Sequence, residues 1–205
     1  MSRKLTKLEL RIKAENQRFE KLPKQQQRIE IAQDVLAQLR AKKFVAQQGT
    51  YVSVDNLLKA GQNESIDLSV PLTQAESCTV CGIGGLFVSA VCKADKLSVE
   101  EADGVDLGGN FDMAGDIAYA YLKQFFSQEQ LELIECAFEG EPSFQELADS
   151  GDVYDAVEFT EGVEDDDTRL RLIMENIIVN KGRFVPSKKP VQIWLTKGFD
   201  KIQSS

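Results

Sequence analysis

Fifteen consecutive residues from Cys78 to Cys92 (CTVCGIGGLFVSAVC) carry no charged side chain, and any fold of this chain has to be arranged around them. A run of that length falls short of the roughly 20 apolar residues needed to cross a bilayer, so its surface has to be buried in a protein core. The reading is a buried helix. Within it Gly82, Gly84 and Gly85 each weaken a helix by close to 1 kcal/mol relative to alanine. Together with Ser89 and Ala90 they make sense if a neighbouring backbone comes very near.

Amphipathic helical periods lie on both sides of this segment. Residues 4–21 place Leu5, Leu8, Ile12 and Phe19 at seam-like spacing, with Glu15 where another apolar residue would be expected. That pattern gives a short basic arm packed on the body or on a partner; a sustained coiled coil needs three or more clean heptads. Pro23 separates the arm from a second helix over 24–42, whose stripe is Ile29, Ala32, Leu36 and Leu39 with Val35 beside it. Further on, Ala118, Tyr121, Leu122, Phe125 and Phe126 form another stripe, and Ser127 with Gln130 makes a capping box for a helix over 128–138. Asp165 to Thr168 supply the negative first turn of a helix that carries Leu170, Ile173, Met174, Ile177 and Ile178 and stops at Gly182.

Strand signals are few. Phe44–Ala46 and Tyr51–Val54 read as a small hairpin, Ile66, Leu68 and Val70 as an edge strand closed by Pro71, and Val191, Ile193 and Leu195 around Trp194 as a last strand. Residues 95–112 read as an acidic, Gly-rich loop, and 143–162 as short helical turns under a long loop. With 42% apolar and 28% charged residues the composition is that of an ordinary globular chain. The expected architecture is mostly α (α+β): a basic helical arm over 1–22, then a single mainly helical domain over 23–205 that includes the acidic segment 124–168.

The net charge of −9 is distributed very unevenly. Residues 1–48 are net +7, residues 49–168 net −22 and residues 169–205 net +6; between Lys123 and Arg169 there are fifteen carboxylates and no basic residue. Such a block repels itself and stays solvated, as an acidic face or as an interaction surface presenting carboxylates where a nucleic acid would present phosphates. Glu158, Glu161, Glu164, Asp165, Asp166 and Asp167 are the candidate partner-binding residues. The same charge disfavours direct nucleic-acid binding, except through the basic N-terminal arm.

The chain contains no histidine, which removes Ser-His-Asp and Cys-His nucleophiles, His-ligated metals and His general bases. Cys78 and Cys81 form a CxxC pair able in principle to hold zinc or to cycle through a disulfide, but with no histidine the remaining zinc ligands would have to be Cys92, Cys136 or carboxylates. The simpler reading is four buried structural thiols in a reducing compartment. Gly82, Gly84 and Gly85 do not keep the spacing of a dinucleotide loop. Asp103, Asp106, Asp112 and Asp116 do not match an EF-hand and read as exposed loop acids. The aromatics Tyr119, Tyr121, Phe125, Phe126, Phe138, Phe144 and Phe159 read as core. No catalytic residue and no cofactor is indicated, with zinc at the CxxC pair as the alternative. Residues 1–22 hold no apolar run long enough for a signal peptide or anchor, which points to a soluble, cytoplasmic protein without a membrane partner.

The segments RIEIAQDVLAQLRAKKF (28–44), GTY (49–51), CTVCGIGGLFVSAV (78–91), FFSQEQLELIECAFEG (125–140) and RLRLIMENIIVNKGRFVP (169–186) together resemble small uncharacterised proteins of tailed bacteriophages and related mobile elements. The resemblance spans about residues 25–186 and brings no activity, cofactor or catalytic residue with it. It implies a setting of host takeover or counter-defence in a host cytoplasm, where small acidic proteins act by binding. The expected function is therefore a non-enzymatic accessory protein that binds a host macromolecule, with counter-defence through an acidic, nucleic-acid-like surface as one form of it. The alternatives are a metal- or thiol-dependent enzyme or sensor at Cys78 and Cys81, and a homo-oligomeric structural component using the arm.

Overall fold

The computed structural model describes residues 7–55, 66–67, 77–94, 98–99, 110–113, 115–142 and 151–187. It shows a mostly helical α+β fold. The helices among the described residues are α1 (Lys7–Glu20), α2 (Lys24–Arg40), α3 (Gly82–Ala94), α4 (Gly115–Leu122), α5 (Gln128–Glu139), α6 (Gly151–Phe159) and α7 (Asp166–Val179). None is long and apolar enough to cross a membrane. The strands are β1 (Phe44–Ala46), β2 (Val52–Asp55), β3 (Ile66–Asp67), β4 (Cys78–Val80), β5 (Ser98–Val99) and β6 (Asn110–Met113).

The uncharged segment is the axis of the fold, but it is not all helix. Cys78–Val80 forms β4, where the β-branched Thr79 and Val80 favour an extended chain, and the helix begins only at Gly82. Eleven of the thirteen α3 residues are buried, and α1, α2, α4 and α5 pack around it. Gly84 shows why the helix carries glycine: a Cβ there would fall on the backbone carbonyl oxygen of Tyr51.

The expected hairpin between 44 and 54 is replaced by a sheet of order β1-β4-β2-β6. β4 lies between the two segments, parallel to β1 (Phe44↔Cys78) and antiparallel to β2 (Val52↔Val80). The 47–51 connector therefore spans two strand spacings, about 10 Å, instead of turning back on itself. Its ends bond to the inserted strand and its exit: Gln47 N donates to Val80 O, and Cys81 N to Tyr51 O. Parts of the expected loop 95–112 are also strand. Asn110–Met113 pairs antiparallel with β2, and Ser98–Val99 with Ile66–Asp67 in a separate two-stranded sheet. The turns expected over 143–162 include a nine-residue helix, α6. The strand read around Trp194, together with Leu68, Val70 and Phe144, lies outside the described residues.

α1 is joined to the core. Phe19 is buried with its ring 5.9 Å from that of Phe125, and the buried amide of Gln27 on α2 donates to the carbonyls of Phe19 and Glu20. At the other boundaries the capping residues behave as read. Ser127 accepts from Gln130 N, Asp165 accepts from Thr168 N, and α7 ends through left-handed Lys181 and Gly182, whose N–H reaches Ile177 O at 2.7 Å. Phe125, Phe126, Phe138, Phe159, Tyr119 and Tyr121 are all buried.

Candidate functional site

The six acidic candidates divide into two groups. Glu158 on α6, then Glu161 and Glu164 in the turn leading to α7, are exposed, and among the described residues no ion pair or side-chain hydrogen bond engages them. Tyr154 is 57% exposed although it is aromatic. Tyr154 and Glu158 are spaced i, i+4, which puts them together on the side of α6 opposite Val153, Ala156 and Phe159, the residues that bury it, and Glu161 follows in the turn after the helix. Asp152 is exposed at the start of the same helix.

Asp165, Asp166 and Asp167 are engaged by backbone amides of the fold, although Asp165 and Asp167 remain exposed. The Asp165 carboxylate caps α7, accepting from the Thr168 side chain and, at 2.8 Å, from the Thr168 amide, and these contacts hold its pKa below the usual carboxylate range. Asp167 accepts from Ala46 N at 2.8 Å and Asp166 from Gln48 N at 3.0 Å. β1 is the outer strand of the sheet, and Ala46 N faces away from β4, so these two aspartates cover amides that an edge strand would otherwise leave open. The first turn of α7 thus seals a sheet edge as well as satisfying a helix dipole. Arg169 locks the junction: Nη1 donates to Phe138 O and Nη2 to Val163 O, and Nε lies 3.9 Å from Asp166 Oδ1.

The connector 47–51 is gripped from α5 as well. Glu139 accepts from Gly49 N at 2.9 Å, and the Gln48 side-chain amide donates to the carbonyls of Phe138 and Glu139 at the C-terminus of α5. Tyr51 Oη donates to Glu135 Oε1, and Tyr119 Oη donates to Glu135 Oε2 at 2.7 Å. Glu135 is buried with one phenol on each oxygen. Burial first, and then the Glu135 carboxylate, push both phenols well above the usual tyrosine range, so both remain protonated donors. This group was not visible in the sequence, where Glu135 was one of fifteen carboxylates; the available signal was its place among Leu131, Ile134 and Phe138, on the apolar side of an amphipathic helix.

Cys78 lies on β4 and Cys81 just before α3, both buried and both free thiols. Burial pushes the Cys78 thiol up to about 11 and the Cys81 thiol up to about 12, and the Gly84 amide reaches Cys81 Sγ at 3.4 Å. That direction opposes the thiolate required of a nucleophile or metal ligand. Among the described residues no group of three or more Cys, Asp or Glu side chains is arranged to hold a metal ion. Asp103 and Asp106 lie outside the described residues, while Asp112 is on β6 and Asp116 on α4.

No protein-family model matches the chain, and no curated protein or solved structure is detectably similar to it.

Proposed function

We propose that the protein is a binding protein, and that the outward face of α6 with the turn after it docks a basic surface of a partner macromolecule. The observation that carries this reading is the exposed pair Tyr154 and Glu158 on α6, followed by exposed Glu161 and Glu164 in the turn after it, in a 45-residue stretch without a single lysine or arginine. An exposed aromatic ring set among solvated carboxylates combines an anchor that gains from burial with charges that steer and select a cationic partner. The carboxylates of Asp165 to Asp167 are already engaged by backbone amides, so the contact is centred on 154–164 rather than on the aspartate run.

In the setting implied by the resemblance, a phage or mobile element, the partner is a host protein with a basic, nucleic-acid-binding site, and the acidic face competes for that site. The thiol reading draws less support, because both cysteines are buried and held in the protonated state. The test is affinity capture from host lysate, comparing the native protein with a Tyr154→Ala, Glu158→Lys, Glu161→Lys, Glu164→Lys variant. Capture should be lost in the variant, weaken with added salt in the native protein, and be displaced by DNA or RNA. The same set of partners captured by both proteins at every salt concentration sinks the proposal.

A further inference from the structure

Phe184 and Val185 belong to no helix or strand, yet all four of their backbone polar groups are taken by side-chain carboxamides. Gln130, in the first turn of α5, donates through Nε2 to Phe184 O at 3.1 Å and accepts from Phe184 N at 2.7 Å. Asn176, in the last turn of α7, donates through Nδ2 to Val185 O at 3.0 Å and accepts from Val185 N at 2.8 Å. Successive residues of an extended chain turn their N–H and C=O groups to opposite sides, so the segment lies as a lone strand between α5 and α7. The two carboxamides stand where neighbouring strands would be. Gln130 is diverted to this task, since in a capping box with Ser127 its side chain would turn back toward the Ser127 amide. Asn180 Nδ2 donates to Asn176 Oδ1 at 3.0 Å and orients the second carboxamide.

The side chains of the segment alternate as an extended chain requires. The Phe184 ring is buried, with its centroid 5.1 Å from that of Phe159 at the end of α6 in an edge-on contact, and Pro186 is buried too. Arg183 and Ser187 are exposed, and Val185 is half-buried. Upstream, Gly182 is pinned independently of the groove: its N–H reaches Ile177 O at 2.7 Å, and its carbonyl accepts from Arg28 Nε at 2.6 Å. The residues after it can therefore leave without disturbing the end of α7.

We propose that α5, α6 and α7 form a peptide-recognition groove for extended Phe-x-Pro segments, and that residues 184–186 are a ligand held in cis, exchangeable for such a segment of a partner protein. Gln130 and Asn176 read the main chain whatever its sequence, and the pocket at Phe159 selects the aromatic side chain. This is the division of labour found where a peptide strand is added to a sheet edge. The tethered segment competes at an effective concentration in the millimolar range, so the native groove is masked against a free peptide. The groove is separate from the acidic face, because Phe159 lies on the side of α6 opposite Tyr154.

The experiment uses the full-length protein in two parts. The first is native-state hydrogen exchange of the Phe184 and Val185 amides against those of Val88 and Val91 in α3. An exchangeable segment opens locally, so its protection should lie at least about tenfold below that of α3. Equal protection would mean that the segment is released only by global unfolding, and overturns the proposal. The second part measures the anisotropy of a labelled peptide of sequence KGRFVPSK, residues 181–188, with the native protein and with Phe184→Ala, whose own segment has lost its ring. The variant should bind at least about tenfold more tightly than the native protein. A peptide with alanine in place of phenylalanine, and one N-methylated at the phenylalanine so that Gln130 has no N–H to accept, should each bind at least about tenfold more weakly. Should Phe184→Ala not fold by itself, refolding with the unmodified peptide should restore its native circular dichroism, and the alanine peptide should not. A folded variant that ignores the peptide, an unfolded one that the peptide does not rescue, or N-methylation without effect overturns the groove.

Discussion

The carbonyl oxygen of Tyr51 occupies the position that a Cβ on Gly84 would fill, and the ring of Tyr51 similarly fills the space of a Cβ on Gly115. The connector after β1 is thus packed into the surface of α3 at a point where only glycine fits. Gly85, one residue on, meets only ordinary contacts: Val35 Cγ1 at 3.5 Å, Val80 Cγ2 at 3.6 Å and Leu170 Cδ2 at 3.7 Å. The two glycines should therefore respond oppositely to the same substitution. Gly84→Ala must displace backbone and should cost at least about 3 kcal/mol in urea denaturation, whereas Gly85→Ala should gain up to about 1 kcal/mol from helix propensity. Equal effects at the two positions would mean that α3 and the connector do not approach in this way.

Glu135 should behave as a structural hub. Glu135→Gln leaves one of two buried phenols facing a donor rather than an acceptor, at an expected cost of about 1–3 kcal/mol. Tyr51→Phe and Tyr119→Phe each leave one oxygen of the buried carboxylate without its donor, and a double-mutant cycle with Glu135→Gln should show strong coupling. The pH dependence has a definite sign. Both phenols are raised in the fold, so their contribution is complete below the ordinary tyrosine pKa of about 10 and is lost as pH rises above it. Urea midpoints that fall on the alkaline side in the native protein, and fall less in Tyr51→Phe, would bear this out; an identical fall in both would not.

The N-terminal arm is expected to stabilise the body rather than to assemble copies. Phe19 is 2% exposed, and two α1 carbonyls accept from the Gln27 side-chain nitrogen. Phe19→Ala should cost about 3–5 kcal/mol, and removing residues 1–22 should destabilise at least as much without changing the mass in solution of whatever remains folded. Arg18→Ala, which removes only the exposed pairs to Glu15 and Glu30, should change stability little. A deletion that keeps full stability but alters the oligomeric mass would restore an assembly role for the arm.

The helices were legible in the sequence because their period and their ends are local properties. The stripe from Leu170 to Ile178, the Ser127 cap and the Asp165 cap each need only a few neighbouring residues to be recognised. The sheet was not legible, since Phe44–Ala46 and Val52–Val54 look like partners in a hairpin and nothing nearby announces that Cys78–Val80 will come between them. The same non-local insertion hid the grip on residues 46–51, where Asp166 and Asp167 bind amides roughly 120 positions away. The acidic run was visible as charge, but charge alone does not separate Glu158, Glu161 and Glu164, which face solvent unengaged, from Asp166 and Asp167, which seal an edge. That division depends on the sheet.

The edge seal itself can be tested. Asp167→Ala removes the acceptor for Ala46 N on the outer strand, leaving a part-buried donor open at an expected cost of about 1–3 kcal/mol. It also uncovers a strand edge next to Val45, which is 49% exposed, so a rise in concentration-dependent aggregation should accompany the lost stability. Glu164→Ala, which removes a neighbouring charge that engages no described partner, should do neither. Matching stability and light scattering in the two variants would show that the aspartates act only through net charge.

The thiols give the last contrast. With Cys78 pushed up to about 11 and Cys81 up to about 12, the thiolate fraction at pH 8 is on the order of one in a thousand and one in ten thousand. Both side chains are also out of reach of solvent, so an alkylating reagent at pH 8 should label at most the half-buried Cys92 until urea unfolds the chain. Rapid labelling of Cys78 or Cys81 in the native protein, or near-stoichiometric zinc in the purified protein, would instead mean that the thiol pair is open and reactive. The binding face on α6 would then no longer be the leading functional feature.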